Sequence, residues 1–184
     1  PQPMTVMSNN TEVKTLTHMS HAAVTGTAQG VAFEGNRDEV ILNYDSDPNG
    51  GIHWSPNPPY DITVAARFTP DLTLPNAGMM LTSVDLYLNT DEGVDFSLKI
   101  YGMGDQYSPG EMYVDQVFTG VVAWNHIVLD EPVYITGEDI WVGYSYTQSE
   151  LDQAIPGIDA GPTHPSNNGN YYKIGAWSHL SVDA

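Results

Sequence analysis

The sequence predicts an all-β protein, an antiparallel sandwich around one apolar core. Three observations carry this: short apolar runs alternate with period two, turn chemistry recurs between them, and no stretch keeps the i, i+3, i+4, i+7 spacing of an amphipathic helix for three turns. The plainest unit is residues 84–101. Val84, Leu86 and Leu88 alternate with Asp85 and Tyr87; Val94, Phe96, Leu98 and Ile100 alternate with Asp95, Ser97, Lys99 and Tyr101. Successive side chains on a strand point to opposite faces, so each run has one buried and one wet face. Asn89-Thr90-Asp91-Glu92-Gly93 between them has the polar and glycine chemistry of a short loop, which predicts a β-hairpin.

Ile62, Val64, Ala66 and Phe68 form a second inward set, closed by Pro70. Further strands are expected at residues 39–44, 112–118, 126–129, 139–147 and 171–177. Eight or more strands suit a sandwich. Loops are expected where Pro and Gly cluster: Asp47-Pro48-Asn49-Gly50-Gly51, Ser55-Pro56-Asn57-Pro58-Pro59, Ser108-Pro109-Gly110 and Ile155-Pro156-Gly157. Residues 153–170 form a long connection of the kind that often carries function. Residues 1–21 are polar and weakly patterned, an N-terminal extension or donor-strand-like segment, and 22–184 are read as a single sandwich domain.

The chain has 184 residues with 5 Lys and Arg against 23 Asp and Glu, a formal net charge of -18. That sign opposes binding to a phosphate backbone, so nucleic acid is not an expected partner. No apolar run approaches the roughly 20 residues that span a bilayer, so membrane insertion is not expected. The excess charge repels itself unless salt, a basic partner or divalent cations neutralise it, which directs attention to calcium; a solubilising acidic surface explains it equally simply. With no Cys, neither disulfides nor thiolate metal sites are available. Four Trp, eleven Tyr and four Phe supply large areas for burial.

Asp45-Ser46-Asp47-Pro48-Asn49-Gly50 reproduces the front half of a calcium loop, with Asp45, Asp47 and Asn49 as candidate ligands. The twelfth position is Pro56, which excludes a complete EF-hand, and a plain turn uses the same residues for backbone reasons. Asp91, Glu92 and Asp95 are a weaker candidate cluster. His18 and His21 stand three apart in the polar extension without a third fixed ligand, so zinc is not expected. No Gly-x-Ser-x-Gly elbow occurs, no carboxylate pair stands out, and Gly102-x-Gly104 lacks its third glycine. No catalytic residue is assigned and no enzyme activity is expected. Trp54, Tyr60, Tyr107, Tyr171 and Tyr172 lie in or beside loops, where aromatic faces could stack on sugar rings; Trp124, Trp141 and Trp177 read as packing residues.

The order of several fragments resembles a pattern found in secreted, multi-domain proteins of Bacteroidetes and related bacteria. The fragments are Ala65-Ala66-Arg67-Phe68-Thr69-Pro70, Leu86-Tyr87-Leu88-Asn89, Ser97-Leu98-Lys99-Ile100-Tyr101, Trp124-Asn125, Leu129-Asp130-Glu131-Pro132-Val133, Asp139-Ile140-Trp141-Val142-Gly143-Tyr144, Asp159-Ala160-Gly161-Pro162, and Trp177 with Leu180. The resemblance covers residues 38–181 and implies a jelly-roll-like sandwich of accessory or adhesive role, extracellular or on the cell surface. The pattern continues past Trp-x-x-Leu with another apolar strand. That leaves a sheet edge to be filled by the N-terminal segment of this chain or of a neighbour, a donor-strand route to a filament. Self-association or another surface protein is thus the expected partner. The alternative is a carbohydrate-binding accessory module of a secreted hydrolase, with a glycan as ligand.

Overall fold

A computed structural model describes residues 23–28, 40–42, 48–54, 58–90, 94–150, 153–159, 168–169 and 171–180. Along the chain run β1 (Ala23–Ala28), β2 (Val40–Leu42), β3 (Pro48–Gly51), β4 (Tyr60–Phe68), the single helical turn α1 (Pro70–Thr73), β5 (Met79–Leu88), β6 (Phe96–Tyr101), β7 (Met112–Phe118), β8 (Ala123–Tyr134), β9 (Ile140–Gln148), β10 (Gly157–Asp159), β11 (Tyr171–Ile174) and β12 (Ala176–His179). Two antiparallel sheets face each other. One has the order β2-β1-β5-β8 and the other β12-β11-β4-β9-β6-β7, while β10 and β3 pair alone. No helix among the described residues is long and apolar enough to cross a membrane.

The winding is that of a jelly roll. Its pairs are nested, with β6·β7 innermost, then β5·β8, then β4·β9. The chain crosses between sheets from β4 to β5, β5 to β6, β7 to β8 and β8 to β9, as a long hairpin rolled on itself requires.

Alternation decides what each sheet buries. From one side come Ile62, Val64, Ala66 and Phe68 of β4, Val142, Tyr144 and Tyr146 of β9, and Phe96, Leu98 and Ile100 of β6. They meet Leu81, Val84, Leu86 and Leu88 of β5 and Ile127, Leu129 and Val133 of β8. Each such aliphatic or aromatic side chain contributes about 1.5–3 kcal/mol by leaving water.

The structure corrects four sequence expectations. Residues 84–88 and 94–101 do not form a hairpin: β5 lies between β1 and β8, and β6 between β9 and β7, in opposite sheets. Alternation specifies the buried face of a strand and is silent about its neighbour. Asn89, at the head of the supposed turn, is instead tied to residues 154–156. Its N–H donates to Ile155 O at 2.9 Å, its Nδ2 donates to Ala154 O at 2.8 Å, and Leu88 bridges to Pro156.

The clusters at 47–51 and 155–157 are also more than loops, because β3 and β10 run through them. Pro48 opens its strand, a position where proline is tolerated. Gly51 permits close approach: a Cβ there would fall 2.5 Å from Ala154 O. The strand expected at 171–177 is two strands folded about Gly175, whose φ of 76° suits glycine. Finally, β8 extends well beyond 126–129. Its Asp130-Glu131-Pro132 interruption is accommodated as an irregularity in the pairing with β5, on an edge strand where Pro132 need not donate inward.

Tyr144 and Tyr146 bring two hydroxyls into the core, and neither has a hydrogen-bond partner among the described residues. Burial pushes both well above the ordinary tyrosine pKa, with the neighbouring Tyr144 adding to the rise at Tyr146. An unfolded tyrosine ionises near about pH 10, so the unfolded state releases protons there while the fold does not. Stability attached to these groups is therefore full below that pH and falls above it, by about 1.4 kcal/mol per pH unit for each. Y144F and Y146F are expected to leave the pH 7 melting temperature unchanged or raised, because an unpartnered buried hydroxyl costs about 1–3 kcal/mol. Both should flatten the loss of stability above pH 10; circular-dichroism melts at pH 7 and in alkaline buffer check this.

Candidate functional site

Two places in the fold are candidates for contact with another molecule. The first is the slot between β2 and β5. The next nested pair, β3·β10, forms apart from both large sheets, so neither of its strands lies beside β5. Among the described residues, the chain then goes to β11 and β12, which extend the other sheet beyond β4.

The slot is occupied by β1, antiparallel to both neighbours. Val24 faces Leu42 and Val84, and Thr25 faces Ile41 and Ser83. On the β5 side the pairing runs from Ala23↔Asp85 to Ala28↔Met79, with an irregularity after Thr25. Without β1, a long edge of β5 would lose its ladder, and unpaired backbone donors and acceptors are costly to bury.

The opposite flank of the sandwich is closed by a side chain. Gln116 of β7 reaches across to the outer edge of β8, where its Nε2 donates to Val128 O at 2.9 Å and its Oε1 accepts from Asp130 N at 3.0 Å. An amide thereby stands in for one rung of a neighbouring strand.

The second place is the outer face of the six-stranded sheet. At one end of it Trp141, fully buried, packs against Tyr171 at 4.5 Å and Trp177 at 6.1 Å between ring centroids, with Tyr101 edge-on to Trp177. Arg67 lies 5.7 Å over the Trp141 ring and holds Asp139 by Nε at 2.9 Å and by a terminal nitrogen at 2.6 Å. Burial alone would lower the Arg67 pKa; the hydrogen bond and charge of Asp139 outweigh it and raise the pKa. The expected packing role of these tryptophans is therefore met outside the sandwich interior.

Beyond the aromatic cluster the same face sinks into a groove of about 680 Å³, lined by Asp61, Thr63, Asp95, Ser97, Ser145 and Thr147, with Lys173 and Val117 at its sides. Thr147 donates to Asp61 at 2.8 Å, and Ser97 donates to Asp115. Lys99 stands 2.5 Å from Asp115, and hydrogen bonds from Lys99 and Ser97 hold that carboxyl below the usual carboxylate range.

Of the residues singled out in the sequence, Asp95 lies in the groove and Tyr171 in the aromatic cluster beside it, and the others fall elsewhere. Asp45 and Asp47 lie outside the described residues, and for Asn49 only its backbone place in β3 is described. Asp91 and Glu92, and His18 and His21, also lie outside them. Among the described residues, no group of three or more His, Asp or Glu could hold a metal ion.

Tyr171 is 4% exposed, with its ring against Trp141 and its hydroxyl donating to Gln106 O at 3.1 Å, so it offers no open face for stacking. Trp54 and Tyr172 pack on each other at 5.6 Å and, with Tyr60, against the sandwich core. The Trp54 backbone is clamped by fully buried Gln148, whose amide oxygen accepts from Trp54 N and whose nitrogen donates to Trp54 O. Tyr107 is exposed at the tip of the β6–β7 loop, which Asp105 shapes by accepting from Tyr107 N and Ser108 N. Those bonds lower the Asp105 pKa.

Apart from Asp95, sequence reading missed the groove residues. The signal was present in the outward positions of β4, β6 and β9, where small hydroxyl residues replace the longer polar ones usual on a wet face, but it becomes a site only once three separated strands are set side by side. No known family model, curated protein or solved structure matches this chain.

Proposed function

We propose that this chain is a non-catalytic, extracellular structural or adhesive protein that works by assembling with further copies of itself. Copies join by strand addition through β1, and calcium stiffens the segment around Asp45, Asp47 and Asn49. The observation that supports this is the β2–β5 slot, filled by a strand that stands outside the nested winding. Because β1 precedes the winding, its withdrawal leaves the pairs β4·β9, β5·β8 and β6·β7 intact. The backbone ladder it makes is the same whether β1 belongs to its own chain or to a neighbour, and strand addition draws its affinity from that ladder. The donor strand and the acceptor slot are different surfaces, so a copy that donates to one neighbour and accepts from another makes a head-to-tail contact, which propagates into a filament.

The absence of native cysteine makes a direct test clean. Thr25 and Ser83 are register partners, so T25C combined with S83C can form one disulfide across the slot. Donation between copies gives a covalent ladder on a non-reducing gel and filaments by electron microscopy. A single monomer band at every protein concentration would overturn the assembly reading.

Calcium binding to the folded chain should raise its melting temperature, by an amount equivalent to about 2.7 kcal/mol at a hundredfold excess over Kd. D47N should abolish that rise. An unmoved melting curve, with no heat of calcium binding in titration calorimetry, would remove calcium from the proposal.

A further inference from the structure

We propose that the groove on the outer face of the six-stranded sheet is a binding site for a neutral, polyhydroxylated ligand, namely an oligosaccharide chain laid across the strands. Its floor is one continuous cross-strand row. Lys173 is the register partner of Thr63, Thr63 of Ser145, Ser145 of Ser97, and Ser97 of Val117, so five strands contribute one residue each. With strands about 4.8 Å apart, the row is about 19 Å long. The groove volume of about 680 Å³ lies within the range of small-molecule sites, about 300–1,000 Å³.

The depression has a local cause. Most outward positions at the centre are small, namely Thr63 and Ala65 on β4, Gly143 and Ser145 on β9, and Ser97 on β6, while the longer Lys99 is paired with Asp115. Bulk is concentrated at one end in Trp141, Tyr101 and Trp177. Gly143 keeps that centre low, since a Cβ there would meet Val64 O at 1.8 Å.

The chemistry selects the occupant. The floor strands β4, β9 and β6 each have a neighbour on both edges, so their main chain has no ladder to offer a peptide, and recognition must use side chains. Beside the apolar Ile62, Phe96 and Val117, the lining offers four aliphatic hydroxyls, of which Thr147 already donates to Asp61 and Ser97 to Asp115, two carboxylates, which accept, and one ammonium, which donates. Sugar hydroxyls answer all three. An apolar ligand would leave the floor unpaired. A polyanion would meet Asp61 and Asp95 under a net charge of -18. A polycation would be drawn by Asp61 and Asp95 but would meet Lys173 at one side and the uncharged Thr63, Ser145 and Ser97 between, so oligolysine is the comparison that separates the two.

The site shares no residue with β1, β2 or β5, so its fate is independent of the assembly proposal. The test is a two-dimensional amide NMR titration of the full chain with cellohexaose, laminarihexaose, xylohexaose and mannohexaose, with a heparin hexasaccharide and oligolysine as charged comparisons. At least one neutral hexasaccharide should shift the amides of Thr63, Ser97, Ser145 and Lys173. S145Y, which fills the floor, should weaken that binding about tenfold or more, the change that 1.4 kcal/mol represents. T63V, which removes only a hydroxyl, should weaken it with the fold retained, and it decides the matter if S145Y does not fold. The proposal is overturned if no neutral hexasaccharide moves the row at millimolar concentration, if only heparin or oligolysine does, if the shifts cluster at Trp54 or Tyr107 instead, or if T63V binds like the parent.

Discussion

Each backbone N–H and C=O on an interior strand must find a partner, and in this molecule that demand is hardest to meet at β5. Its core-facing Leu81, Val84, Leu86 and Leu88 tie it into the centre of the sandwich, and β8 satisfies only one of its edges. None of the described strands that follow β9 goes to the other edge: β10 pairs β3, and β11 and β12 extend the opposite sheet. Everything distinctive about the four-stranded sheet follows. A strand from before the winding completes it, the completion is made of main-chain hydrogen bonds, and such bonds do not depend on which chain supplies the strand.

The six-stranded sheet solves a different problem. Among the described residues its outer face has no second sheet over it, and at one end of that face Trp141, Tyr171, Trp177 and Tyr101 form a second apolar cluster. The Arg67 guanidinium ties that cluster to Asp139. The cover stops halfway along the strands. Where it stops, small and hydroxylated residues leave the sheet bare, and the groove is the remainder. Aromatic bulk and adjacent bareness thus arise from one alternation, read at successive outward positions of β4 and β9.

Much of the fold was legible in the sequence because its signals are local. Ile62, Val64, Ala66 and Phe68 declare their inward face by period two alone, and β7 appears at its expected bounds, residues 112–118. Pairing was not legible. The run 84–101 reads as a hairpin until Asn89 is seen bonded to Ala154 and Ile155, more than sixty residues away in the chain. The candidate site was less legible still. Trp54, Tyr60 and Tyr172 drew attention as loop aromatics and proved to pack against the core, while Thr63, Ser97 and Ser145 carry no motif and gain meaning only from register.

The sequence by itself determined the class of structure: strands, their buried faces, the breaks between them, and a formal net charge of -18. These rest on side-chain chemistry at spacings of one or two residues, which the chain carries wherever it goes. Tertiary structure alone decided which strands are neighbours, that β1 fills the place beside β5, and that hydroxyls from β4, β6 and β9 share one floor. Those facts depend on closing loops between distant segments, and the energy that selects among closures belongs to the assembled core as a whole.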